Sequence, residues 1–226
     1  MRTKGRVWNP PLSKHFPQNR LEERTSIHRV LFCDLGNVIL QFDFNSAIQK
    51  IAELSGRTFE DIRKFLFWPG FQERYEKGKI GPQEFLDCLR DSLKVDASDE
   101  QLALIWNDVF SENRQMVDWL EIVIGKFPIW GISNTNALHY DYIHQRYPIV
   151  RKLNGWVLSY KIGCRKPEPE IFKVALKKAG VSPQQAFFVD DLPANVQAAE
   201  GAGICSQLFR GVSPLIQALQ REGYPL

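Results

Sequence analysis

The chain has 226 residues, 44% of them hydrophobic and 24% charged, enough to bury a core without disulfides or a structural metal. Its net charge of +3 is uneven: residues 1–29 hold seven basic residues against Glu22 and Glu23, and the remainder is slightly acidic, which argues against a basic face for nucleic acid. No apolar run is long enough for a membrane span, and Cys33, Cys88, Cys164 and Cys205 form no C-x-x-C pair, which argues against zinc and fits reduced thiols in the cytoplasm.

Residues 1–28 carry Pro10, Pro11 and Pro17 with little apolar periodicity. They read as a flexible basic extension, without the apolar stretch of a secretory signal. The first strong signal follows. Arg29–Cys33 is a short apolar run that stops abruptly at Asp34-Leu35-Gly36-Asn37, the pattern of a buried strand opening into a turn. Strands of the same kind are expected over Phe127–Ile132, ending at Ser133-Asn134, over Gly155–Leu158, and over Ala186–Val189, ending at Asp190-Asp191; Ile204–Phe209 closes the set. Helices are expected over Asn113–Lys126, Thr135–Arg146, Glu168–Ala179 (stopped by Gly180) and Pro193–Ala202. Such alternation predicts an α/β doubly wound fold with a parallel sheet covered on both faces.

Asp34 and Ser133 are about 100 residues apart, far more than one crossover helix needs. The intervening block reads as helices; over Glu100–Phe110 the residues Leu102, Ile105, Trp106, Val109 and Phe110 share one helical face. The expected organisation is therefore a core of residues 29–43 and 113–226 with a helical cap over 44–112 inserted after the first strand.

In open parallel sheets ligands bind beyond the carboxyl ends of the strands. Those ends carry Asp34, Ser133, Asn134, Asp190 and Asp191, with Lys166 on the loop after the third strand. Carboxylates gathered so closely repel one another unless a cation sits among them, and hard oxygen donors favour Mg²⁺. A serine hydroxyl, turn amides and a lysine suit phosphate oxygens, and a carboxylate can attack phosphorus.

The stretches Asp34-Leu35-Gly36-Asn37-Val38, Ser133-Asn134-Thr135-Asn136, Arg165-Lys166-Pro167-Glu168 and Phe188-Val189-Asp190-Asp191 together resemble the four ordered motifs of the haloacid dehalogenase superfamily. The opening and the Ser-Asn-Thr-Asn stretch are similar in particular to bacterial sugar-phosphate phosphatases, including those of glucose 1-phosphate type. The resemblance implies an Mg²⁺-dependent phosphatase acting on a small phosphorylated metabolite through an aspartyl-phosphate. It implies Asp34 as nucleophile and metal ligand, the Gly36 carbonyl and Asp191 as further ligands, and Asp190 as a ligand directly or through water. Ser133, Asn134 and Lys166 would bind the phosphate, with Lys166 also steadying Asp34.

One departure stands out. The family's acid/base aspartate, two residues after the nucleophile, is replaced by Gly36. His139 is the candidate substitute near the substrate, because histidine titrates near neutrality; the plainer reading is that it packs beside the second motif. A sugar 1-phosphate, whose leaving oxygen needs least help, is the preferred substrate. Rival readings are a metal-independent haloacid dehalogenase and a non-catalytic phosphate-binding protein. In the cap, Trp68, Phe71, Arg74 and Tyr75 are candidates for substrate contact, although such spacing also suits a core. Asn195 either faces the site or caps the helix starting near Pro193, and Cys33 packs away from it.

Overall fold

The computed structural model describes residues 29–226; the basic extension expected over 1–28 lies outside them. The chain begins with β1 (Val30–Cys33) and β2 (Leu40–Phe42), then runs through five helices: α1 (Asn45–Ser55), α2 (Phe59–Leu66), α3 (Pro69–Glu76), α4 (Pro82–Leu93) and α5 (Asp99–Asn107). After β3 (Phe110–Glu112) come α6 (Arg114–Val123), β4 (Ile129–Ser133), α7 (Ala137–Arg146), α8 (Pro148–Lys152), β5 (Gly155–Leu158), α9 (Ser159–Ile162) and α10 (Pro169–Ala179). The last elements are β6 (Ala186–Asp190), α11 (Pro193–Gly201), β7 (Cys205–Leu208) and α12 (Val212–Arg221).

Five strands form one parallel sheet in the order β5-β4-β1-β6-β7. The fold is the expected α/β doubly wound one. Alternation along β1 sends Leu31 and Cys33 into a core shared with α6, α7 and α12, while Val30 and Phe32 join Ile171 and Phe172 of α10 on the other face. Cys33 is thus a packed thiol. From β1 the chain builds outward to β4 and β5, then crosses back to lay β6 and β7 on the opposite side. The reversal falls beside β1, which opens a crevice at its carboxyl end.

The helices α1 to α5 carry an apolar cluster of their own, in which Ile51, Ile62, Phe85, Leu89 and Leu102 are almost wholly buried. They are joined to the sheet through β2 and β3, an antiparallel pair with Leu40 opposite Glu112 and Phe42 opposite Phe110. Here one expectation fails. The helix read over Glu100–Phe110 stops at Asn107, because Asp43 donates to the carbonyl of Val109 at 2.9 Å and Phe110 enters the β2 ladder. Strand pairing with a partner distant in sequence overrides helical spacing at Val109 and Phe110.

Candidate active site

The carboxyl ends of β1, β4 and β6 lie side by side, so Asp34, Ser133 and Asp190 are brought to one edge of the sheet without any long loop to place them. Lys166 arrives from the loop after α9. Its Nζ is 2.6 Å from Asp34 Oδ1, 2.6 Å from Asp190 Oδ2, and donates at 2.9 Å to the carbonyl of Ile132. The side chain is 1% exposed, so every donor of this ammonium is committed inside the protein. Burial acts to lower its pKa, but Asp34 and Asp190 outweigh that and hold it above the usual lysine range.

Asp34 also accepts from the amide of Leu35 at 2.7 Å. Its pKa is pushed up to about 7, first by burial; Lys166 pulls it down, and Asp190 and Asp191 push it up again. Asp190 is fully buried: Oδ1 accepts from the Leu192 amide and from Asn195 Nδ2, both at 2.9 Å, and Oδ2 meets Lys166. Asp191 Oδ2 accepts from Asn37 Nδ2 at 3.0 Å. Asn37 reaches it from a left-handed backbone with φ +55, a conformation asparagine tolerates better than most residues.

Carboxylate oxygens of Asp34, Asp190 and Asp191 lie within 4.8 Å of one another. One ammonium among three carboxylates leaves a surplus of negative charge, and Asp190 and Asp191 add to the upward push that burial gives Asp34. A donor set made only of hard oxygens, with that surplus, fits Mg²⁺.

The second motif is an irregular segment that leads from the end of β4 into α7. Ser159 ties it down, its Oγ accepting from Thr135 N at 2.9 Å and donating to Thr135 O at 3.1 Å. Ser133 is buried, with a single contact of 3.5 Å from its hydroxyl to the carbonyl of Asn134. The side chain of Asn134, expected on substrate, is spent elsewhere. Its Nδ2 donates to the carbonyl of Lys166 and its Oδ1 accepts from the amide of Lys166, both at 2.8 Å. It clamps the lysine's backbone.

His139 does not suit the acid/base role considered for it. It is buried, Asn136 Nδ2 lies 3.1 Å from its Nδ1, and its Nε2 lies 3.2 Å from the carbonyl of Trp106. This network makes it a neutral imidazole donating to Trp106. Burial depresses its pKa to about 3, against a smaller upward pull from that hydrogen bond. Its one N–H is committed to the carbonyl of Trp106, and the ring lines the cavity.

That cavity, about 150 Å³, lies between the strand ends and the helices inserted after β2. Gly36, Ser133 and Asn134 line its floor; Phe42, Phe44, Phe71, Tyr75 and Trp106 supply aromatic walls, and Gln72 and Glu76 the polar ones. Of the cap candidates, Phe71 and Tyr75 reach it; Trp68 is 68% exposed and Arg74 pairs with Glu84 at the surface. Gly36 has a packing reason as well: a Cβ there would meet Phe42 Cε1 at 2.8 Å. Phe42 fills the space of the missing side chain.

Asn37, Ser159 and Glu76 were not singled out in the sequence. Asn37 follows Gly36 directly and could have been weighed; Ser159 ends the Gly155–Leu158 run as the other polar residues end theirs, and Glu76 gives no local signal.

A family model of haloacid dehalogenase-like hydrolases matches residues 28–203. The chain belongs to this family. Among haloacid dehalogenase-like relatives, a D-ribitol-5-phosphate phosphatase of Bacteroides thetaiotaomicron is 28% identical over 185 residues, covering 78% of this chain and 89% of that protein. A haloacid dehalogenase family enzyme from the same organism, crystallised with magnesium and inorganic phosphate, superposes with a TM-score of 0.73 at 29% identity, over 81% of this chain and 94% of the other. A haloacid dehalogenase-like hydrolase from Porphyromonas gingivalis shares the fold, with a TM-score of 0.71 at 21% identity over 87% and 98% of the two chains. Among the described residues no helix is long and apolar enough to cross a membrane.

Proposed function

We propose that this hydrolase is a magnesium-dependent phosphatase that hydrolyses small phosphate monoesters, of sugars or polyols, through an aspartyl-phosphate on Asp34. The observation that carries the reading is the buried Lys166 ammonium held at 2.6 Å by both Asp34 and Asp190, with Asp191 close enough to share a cation. That cluster matches the demands of a transferring phosphoryl group, whose charge spreads over its equatorial oxygens. The phosphatase named among the relatives and the magnesium and phosphate in a similar structure support it.

Asp34, Asp191 and the Gly36 carbonyl would hold Mg²⁺, with Asp190, whose oxygens already accept from Lys166, the Leu192 amide and Asn195, contributing directly or through water. The metal supplies charge neutralisation for the carboxylates and the phosphoryl oxygens. The Asp34 oxygen not committed to Lys166 attacks phosphorus, the bond to the leaving oxygen breaks, and Ser133 with the turn amides keeps the phosphoryl oxygens in place. Lys166 stays charged throughout and offsets the charge that builds up. Water then releases phosphate from Asp34.

Gly36 offers no proton for the leaving oxygen, and general acid help is worth about 10²–10⁴ in rate. Within the class this favours sugar 1-phosphates, whose hemiacetal oxygen departs most readily. Ribitol 5-phosphate, suggested by the Bacteroides relative, is the competing substrate. A reducing, cytoplasmic setting fits the four free thiols.

The test is phosphate release across a panel of sugar and polyol phosphates with Mg²⁺, with EDTA, and with Asp34→Asn. Turnover abolished by EDTA and by Asp34→Asn is expected. Metal-independent turnover of haloacids, or ligand binding without turnover, would displace the proposal; 5- and 6-phosphates consistently outrunning 1-phosphates would overturn the preference within it.

A further inference from the structure

The loop that carries Lys166 is a turn whose first and last residues are Arg165 and Glu168, closed by a 2.8 Å hydrogen bond from the Glu168 amide to the Arg165 carbonyl. Both ends face oppositely charged, consecutive residues of the cap, the first through an ion pair in which Glu76 Oε2 makes no hydrogen bond. Arg165 Nη1 lies 3.1 Å from Glu76 Oε2, and Glu168 Oε1 lies 2.7 Å from Lys77 Nζ. The two pairs have opposite polarity, so only one register of cap on core satisfies both. The next residue enforces that register. Gly78 has φ +66, and a Cβ there would stand 2.2 Å from the carbonyl of Tyr160, so the cap backbone at Gly78 lies directly against the end of the core.

Glu76 is the more protected partner, its side chain 12% exposed beside 27% for Arg165, and it lines the substrate cavity. Gln72 Nε2 donates to its Oε1 at 3.1 Å. Within the turn, Lys166 follows Arg165 immediately, and its peptide is gripped from the core side by Asn134.

We propose that Glu76 is a positioning residue for the phosphate site, acting through Arg165 on the turn that presents Lys166, so that the site is complete only while the cap is docked. This rests on the phosphatase reading for its consequence in turnover, but not for its structural content. A cap that opens to admit substrate releases Arg165 and Glu168 and loosens the lysine turn. A cap that shuts over a ligand restores the grip. Substrate capture and assembly of the charged cluster then become one event.

Two measurements on the full chain test it. The first is turnover with Glu76→Gln, Arg165→Gln and the double variant, on p-nitrophenyl phosphate and on ribitol 5-phosphate. Each single variant should lower kcat by about 10-fold or more, as expected for a displaced catalytic group. The double variant should lose little beyond either single one, and the loss should be equal for the two esters. A loss confined to ribitol 5-phosphate, sparing the good p-nitrophenol leaving group and adding to the effect of Arg165→Gln, would make Glu76 a proton donor and overturn the positioning role. The second measurement needs no activity. Hydrogen exchange of the amides of Arg165, Lys166 and Glu168 should rise in Glu76→Gln, with β1 and β6 unchanged. Unaltered exchange there would overturn the proposal even if the chain is a phosphatase; raised exchange in a chain without phosphatase turnover would sink the functional reading alone.

Discussion

Lys166 is a buried charged group, and it keeps its charge because Asp34 and Asp190 flank it. Removing one partner of a buried ion pair leaves the others uncompensated, at about 3–5 kcal/mol. Lys166→Met should therefore abolish turnover and destabilise the metal-free protein by about that amount in urea unfolding; added Mg²⁺ should restore part of the stability without restoring activity. At Gly36 the argument runs the other way. The backbone there tolerates a side chain, but Phe42 Cε1 stands in its place. Gly36→Asp alone should gain little rate on alkyl phosphates. Gly36→Asp with Phe42→Ala, which vacates the space, should gain about 10-fold or more, a fraction of what a well-placed acid supplies; steady-state kinetics on ribitol 5-phosphate would show it. Asp34, Ser133, Asp190 and Asp191 could be grouped from the sequence because polar residues at the ends of apolar strands converge in a parallel sheet; Lys166, on a loop, was raised only by its motif neighbours. The work of Asn134 and His139 was not legible there, since it depends on which atoms of neighbouring loops their side chains meet.

The elements that could be read were the long, strongly patterned ones. The strands of the parallel sheet and the helices α6, α7, α10 and α11 follow from apolar runs and from helix stops such as Gly180, which is left-handed as such stops require. The short pair β2 and β3 could not be read. Three residues each are too few to display alternation, and the partner of Leu40 is Glu112, on the far side of the cap. Likewise α9 is a four-residue turn whose value lies in one hydroxyl. Ser159 Oγ satisfies both the amide and the carbonyl of Thr135, and leaving a buried polar group unpaired costs about 1–3 kcal/mol. Ser159→Ala should destabilise the protein by that order, measured by urea unfolding, and should raise KM for phosphate esters as the segment around Ser133 loosens.

At the scale of the whole molecule, two apolar clusters meet at a seam, and His139 lies in it. The imidazole belongs to α7 but stacks on Trp106 of α5, 4.8 Å between ring centroids, and donates to that residue's carbonyl. Its pKa is depressed from 6.5 to about 3 by burial. The unfolded chain therefore takes up a proton at a pH where the folded one does not. The stability this residue contributes is complete above about 6.5 and lost progressively as pH falls toward 3. Chemical unfolding across that range should show His139→Gln converging on the wild type as the solution is acidified. A constant gap would mean that the imidazole titrates freely in the folded protein.

The antiparallel pair β2 and β3 gives this arrangement a modular character. Everything between Asp43 and Val109 departs from and returns to the sheet through one doorway, spanned by a single 2.9 Å hydrogen bond. A foreign segment whose ends stand one strand spacing apart, about 4.8 Å, meets the same joint. The inserted segment is in effect a cassette, and a graft would leave the strand ends undisturbed only if it brought its own partners for Arg165 and Glu168.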